Sequence, residues 1–297
     1  MPTCVIMSDS TFDFSSFQAK VEGVRVVPFH YTDARGSFSG DDDLFASVTP
    51  HEFYNAIASG AELMTSQPSQ LEFEELFNSV GEDEEAVLFC ISTGISGGYN
   101  GAMAAFNRLC EDKPELREKI FIIDTLIAST PMHLLVHEAC RKRDAGASAR
   151  EIYEWAMEAR WKTQTIFMVD SLDALHRGGR VPKGVAVAGD ALHVKPLLNF
   201  DPEGKLGLSG AAHGRKKGLA KLAKFYVKNH VDPENGAIVA IGDADCPKDG
   251  DALADELKAK YPGITVLRST IGPTIGCHVG PGMVSCCFWG ADRRTGK

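Results

Sequence analysis

Apolar residues in this 297-residue chain gather in short runs separated by polar, helix-forming stretches. Residues 3–7, 86–91, 120–124, 166–169, 237–241, 264–267 and 283–289 read as strands. Ala86-Val87-Leu88-Phe89-Cys90-Ile91 shows no polar alternation, as expected of a strand buried on both faces of a parallel sheet. Residues 24–29 include Pro28 and suit a sheet edge, where a missing N–H costs no ladder bond. Helix starts lie between the runs. Thr49-Pro50-His51-Glu52, Ser69-Gln70-Leu71-Glu72 and Ser148-Ala149-Arg150-Glu151 are capping boxes, in which hydroxyl and carboxylate satisfy each other's end of the first turn. Further helices are expected near 100–109, 131–143, 172–177, 215–229 and 249–260, with a small-residue helix from Val181 to about Leu192.

The order β, α, β, α through residue 162 predicts a doubly wound, mostly parallel sheet with right-handed crossovers. Near Thr163 the pattern begins again. Residues 194–200 and 204–208 form a strand pair around Asp201-Pro202-Glu203-Gly204, and a second α/β unit follows. The expected fold class is α/β, with two α/β domains and a ligand cleft between them. Domain 1–163 carries Thr65 and Ser96 on loops, and domain 164–297 carries a His278 loop.

Composition narrows the function. A net charge of −9 argues against nucleic-acid binding, which needs a basic footprint. No apolar run reaches the ~20 residues that span a bilayer, so at most transient membrane contact is expected. The start, Met1-Pro2-Thr3-Cys4, shows no basic segment leading into an apolar one, and no signal peptide is read there. Eight cysteines without a CxxC pair read as reduced, mostly buried thiols in a cytoplasmic protein. Cys286 and Cys287 are expected on opposite faces of a strand. Asp41-Asp42-Asp43 lacks calcium-loop spacing and reads as solvated charge. The lysines at 216, 217, 221, 224 and 228 read as a solvated helix face. No metal or nucleotide cofactor is expected.

Three segments carry candidate chemistry. Ser92-Thr93-Gly94-Ile95-Ser96-Gly97-Gly98 follows a buried strand and precedes a helix, where glycines let an anion approach free N–H groups. It has neither the Gly-Lys-Ser/Thr end of a phosphate loop nor GxGxxG. Met64-Thr65-Ser66-Gln67-Pro68-Ser69 is richer in hydroxyls than one N-cap requires. Gly272-Pro273-Thr274-Ile275-Gly276-Cys277-His278-Val279-Gly280-Pro281-Gly282 sets one imidazole among glycines and prolines, and alone it reads as a tight turn. Ser8-Asp9-Ser10-Thr11, at a strand's C-terminal end, reads equally as an N-cap run or as part of a ligand site.

Two chemistries fit these residues. Gly94-Ile95-Ser96-Gly97-Gly98 satisfies G-x-S-x-G, and Ser96, then Asp170, Asp190, Asp243 or Asp245, then His278 follows the chain order of an α/β-hydrolase triad. A serine esterase or acyl hydrolase is the alternative reading, although no HGGG-type oxyanion segment accompanies it. In the other reading, Thr65, Ser96 and His278 donate hydrogen bonds to a buried carboxylate, which needs several donors and no activated nucleophile.

Seven segments in order make the sequence resemble the DegV family of bacterial fatty-acid-binding proteins along nearly its whole length. They are Ser8-Asp9-Ser10-Thr11, Val24-Arg25-Val26-Val27-Pro28, Thr65-Ser66-Gln67-Pro68-Ser69, Ile91 to Tyr99, Gly178-Gly179-Arg180, Lys195-Pro196-Leu197 and Gly272 to Gly282. The resemblance implies the EDD fold, two α/β domains, and a long-chain fatty acid such as palmitate, stearate or oleate held between them. Its carboxylate would meet Thr65, Ser96 and His278, with Ser66, Gly97, Gly98, Arg180 and Arg215 as supporting candidates. It further implies that the bound acid is presented to a separate ATP-dependent kinase for conversion to acyl phosphate in phospholipid synthesis. One position departs from the family: His213 stands where an arginine commonly opens the basic helix segment, so that arginine's role would pass to Arg215 or Arg180.

Overall fold

The computed structural model of the chain describes residues 3–33, 36, 38–184, 193–231 and 237–295. The elements of the first half are β1 (Thr3–Asp9), α1 (Ser16–Val21), β2 (Arg25–Val27), β3 (His30–Asp33), β4 (Ser39–Asp41), α2 (Pro50–Ala58) and β5 (Leu63–Ser66). They continue with α3 (Gln70–Asn78), β6 (Glu84–Cys90), α4 (Gly98–Asp112), β7 (Ile120–Asp124), α5 (Thr130–Asp144) and α6 (Ala149–Ala159). A four-stranded sheet of order β2-β1-β6-β7 is parallel throughout. Its edge strand β2 stops before Pro28, as the missing N–H requires. Alternate residues of β1 and β6 feed two cores. Ile6, Val87 and Phe89 pack under α5 and α6, while Met7, Leu88 and Cys90 pack under α3 and α4. All three capping boxes form with both halves present.

The second half contains β8 (Thr163–Met168), α7 (Asp173–Arg177), β9 (Val194–Phe200), β10 (Leu206–His213), α8 (Arg215–Asn229), β11 (Ile238–Asp243), α9 (Pro247–Lys260), β12 (Thr265–Thr270), α10 (Pro273–Val279) and β13 (Val284–Trp289). Its six strands run β10-β9-β8-β13-β11-β12, antiparallel except for the pair β11–β12. Cys286 faces α8 and α9, and Cys287 faces the opposite core, the two-face placement expected of adjacent strand residues. The expected helix after Val181 falls mostly on 185–192, outside the described residues, and so does Asp190.

Helix α5 joins the two sheets. Seven consecutive residues, Thr130 to Val136, are buried, so the first half of this helix has no solvent face. Met132 and Leu135 pack toward the parallel sheet, and Leu134 packs against Ala240 and Cys287 of the mixed sheet.

Three features depart from expectation. Residues 30–66 contain a small antiparallel sheet, β4-β3-β5, so Thr65 lies on a strand and not a loop. Weak alternation in these short strands hid them. Tyr31, Phe53, Tyr54 and Leu63 share a core with Phe167, Leu175, Ile271 and Val279, so one hydrophobic cluster crosses the 163/164 division. His278 lies on α10 and not a turn: Gly272 is the N-cap, Pro273 opens the helix, and Gly280 at φ 70° ends it. Among the described residues no helix is long and apolar enough to cross a membrane.

Candidate functional site

On α10, Thr274, Ile275, His278 and Val279 recur at i, i+1, i+4 and i+5, which puts them on one face toward a cavity between the two sheets. Gly276 faces the other way: a Cβ there would come 2.7 Å from the Tyr54 hydroxyl and 2.9 Å from the Phe53 ring. The glycine thus lets α10 lie flat on α2. The cavity has about 630 Å³ of empty space, the open solvent at its mouth included. Its walls are mainly apolar, with Ile91 and Ile95 from the end of β6 and its loop, Phe167 from β8, and Phe200 and Leu206 from the β9–β10 hairpin.

Polar groups meet at one part of this wall. On β5, Leu63 packs into the core, Met64 is exposed, and Thr65 faces the cavity; Thr65 Oγ1 lies 2.8 Å from His278 Nε2. Ser96 also lines the cavity, on the loop leading into α4. Its Oγ accepts from Gly98 N at 3.2 Å, which leaves the hydroxyl proton available to a ligand. Arg180 lines the cavity as well, held by Nε to Ile95 O at 3.0 Å and by Nη1 to Gly178 O at 2.6 Å. Burial pushes the Arg180 guanidinium down. His278 is pushed down to about 4, chiefly by burial and then by Arg180 and Arg177, so the ring is neutral near pH 7.

The second ring nitrogen is covered by backbone. A Cβ on Gly178 would stand 2.3 Å from His278 Nδ1, so this position must lack a side chain for the ring to sit there. That contact occupies the place where a triad acid would orient the imidazole. Of the acids proposed for such a triad, the three among the described residues are engaged elsewhere: Asp170 with Lys195 and Arg215, Asp243 with Arg268, and Asp245 with His51. What the arrangement offers is a set of neutral and cationic donors, the equipment for holding an oxyanion.

The supporting candidates divide. Gly98 packs on Phe29 and Ile91, while Gly97 abuts the Gln67 side-chain oxygen and so brings the start of α4 close to the 65–69 segment. Ser66 is exposed on the opposite face of β5 from Thr65. Arg215 does not line the cavity. It is tied to Asp170 and Asp249 and donates to Gly282 O at 2.9 Å, steadying the turn after α10. His213 is exposed at the end of β10, and the five α8 lysines form the expected solvated face. Ser8 to Thr11 proves to be a structural staple: Asp9 is buried and accepts from Thr11 Oγ1 at 2.6 Å and Ile91 N at 2.7 Å, while Ser10 Oγ accepts from Phe29 N.

Two contributors to this geometry were missed in the sequence. Asp42, read there as solvated, is fully buried and accepts from Thr274 N on α10. Gly178 was read as part of a turn within a family segment, and its closeness to His278 has no local signature.

A mainly apolar cavity between two sheets, with a few polar side chains on its wall, is the architecture of a small-molecule-binding site. The chain belongs to the DegV family: the family model described as "Uncharacterised protein, DegV family" matches residues 3–290. A DegV domain-containing protein of Clostridium perfringens is 36% identical over 253 residues, covering 85% of this chain and 86% of that protein. A DegV family protein from Thermus thermophilus, described by its fatty acid binding, matches with TM-score 0.84 at 25% identity over 98% of this chain and all of that one. The fatty acid kinase B3 protein of Streptococcus pneumoniae, solved with linoleic acid, shares the fold with TM-score 0.83 at 21% identity over 97% of this chain and all of its own.

Proposed function

We propose that this protein binds a long-chain fatty acid in the cavity between its sheets and presents the carboxylate to a partner kinase for phosphorylation to acyl phosphate. The observation that carries the reading is the Thr65–His278 contact at 2.8 Å on the wall of a mainly apolar cavity that Ser96 and Arg180 also line. Neutral His278 donates from Nε2 to Thr65 Oγ1, which turns the Thr65 hydroxyl proton toward the ligand. Ser96 donates to the carboxylate, and Arg180 supplies positive charge beside it. The Thermus relative's fatty acid binding supports the ligand class.

Tail and head have different tasks. Burying about 15 methylenes at ~0.8 kcal/mol each gives on the order of 12 kcal/mol before the costs of binding. Each hydrogen bond to the charged head contributes about 1.5–3 kcal/mol, much of it offset by desolvation. The tail thus supplies affinity and the head sets register. A kinase partner would then supply ATP and catalysis: the presented carboxylate oxygen bonds to the γ-phosphorus as the bond to the β,γ-bridging oxygen breaks, giving acyl phosphate and ADP. The test is organic extraction of the purified protein followed by mass spectrometry. Stoichiometric C16–C18 acid is expected; folded protein without lipid that also fails to take up oleate would overturn the reading.

A further inference from the structure

Asp13 and Asp42 stand on the loops after β1 and β4, and the carboxylate reading leaves both without a task. Both are buried, at 2% and 0% exposure. Each accepts a backbone N–H at the start of α10: Gly272 N donates to Asp13 Oδ1 at 3.0 Å, and Thr274 N donates to Asp42 Oδ2 at 2.9 Å. A Cβ on Gly272 would lie 3.6 Å from an oxygen of each, so the two carboxyls close on one turn. Asp13 Oδ2 also accepts from Ser129 Oγ and from Thr130 Oγ1 at the start of α5, and Ser129 is part of the cavity wall.

Two buried carboxyls are a costly way to cap a helix, since serine or threonine caps as well without the desolvation. Burial raises both, Asp13 to about 7 and Asp42 to about 6, and Asp42 repels Asp13 in addition. A seven-residue helix has little stability of its own, so tertiary contacts decide where α10 lies. At its start these are the two carboxyls and the Tyr54 hydroxyl, which donates to Ile271 O at 2.6 Å. His278 sits one turn beyond Thr274, and its bond to Thr65 tolerates only a few tenths of an ångström of displacement.

We propose that Asp13 and Asp42 are positioning residues for carboxylate recognition: by gripping the first turn of α10 they place His278 opposite Thr65, and through Ser129 Asp13 ties that placement to the cavity wall. The inference rests on the carboxylate site proposed above.

Asp13→Asn and Asp42→Asn keep shape and one acceptor but turn an NH₂ toward donors. The measurement is the affinity of each full-length variant for oleic acid and for methyl oleate, with the His278 ring signals followed by NMR in ligand-free protein. Expected are about tenfold weaker acid binding, ester binding within about threefold of the parent, and shifted His278 signals. Leu253→Ala, in the α9 core away from the cavity, should lower thermal stability while leaving the acid-to-ester preference and the ring signals unchanged. If an Asn variant does not fold, Thr130→Val, which removes one donor to Asp13, is read in the same way. Unchanged preference and unshifted His278 signals in the variants would overturn the positioning role, as would equal weakening of acid and ester. A parent protein without preference for the acid would overturn the carboxylate site, and the positioning role with it.

Discussion

Replacing Thr65 by valine removes one hydroxyl and nearly no volume, which makes it the sharpest probe of the head-group site. In the free protein Thr65 Oγ1 and His278 Nε2 are paired at 2.8 Å. Without the hydroxyl, Nε2 loses its partner in a partly buried place, at a cost of about 1–3 kcal/mol, nearer the low end because water can reach the wall. With ligand bound, the carboxylate also loses a charge-assisted donor, about 1.5–3 kcal/mol or roughly a 10- to 150-fold loss of affinity. The tail's share is untouched, so methyl oleate should bind within about threefold of its parent affinity. The assay is displacement of a fluorescent fatty acid by oleic acid and by methyl oleate from parent and Thr65→Val, with thermal melts to confirm folding. Equal losses for acid and ester, or no loss for the acid, would refute the assignment of Thr65.

Two more predictions follow from the same geometry. Gly178→Ala places a methyl 2.3 Å from His278 Nδ1, so it should displace the ring, cost about 1–3 kcal/mol in thermal melts and weaken acid binding more than ester binding. His278 is held at about 4 when folded against 6.5 for the free side chain. Its neutral form therefore contributes stability in full above pH 6.5, and this is lost as pH falls toward 4, with a ceiling of about 3 kcal/mol. Urea melts at pH 7 and pH 4.5 should show the parent losing more stability on acidification than His278→Gln. Raised carboxyls such as Asp9, Asp13 and Asp42 act with the opposite sign but are present in both proteins. Parallel losses would exclude His278 as the responsible group.

Local signals carried most of the elements and stopped at the contacts between them. The three capping boxes and the buried run of β6 are legible because each depends on residues within a turn or a strand of one another. Strands β3, β4 and β5 were not legible, because three- and four-residue strands hold too few positions for alternation to show. Thr65 was therefore expected on a loop and lies on a strand. The histidine segment misled for a related reason: Gly276 reads locally as a turn former, yet its role is clearance for Tyr54 across the interface.

By itself the sequence determined an α/β chain with a parallel first sheet, the family through its ordered motifs, and the hydroxyl and imidazole residues that the structure places on the cavity wall. Only the tertiary structure decided which of those residues meet. It paired Thr65 with His278 across 213 positions, gave Arg215 to the ion pairs behind the α10 turn, and buried Asp42 out of an apparently solvated triplet. The reason is that hydrogen bonds, exclusion of water and steric clearance act over a few ångströms in space, whatever the separation along the chain. A residue's type and near neighbours set what it can do, and only packing of distant segments sets which partner it does it with.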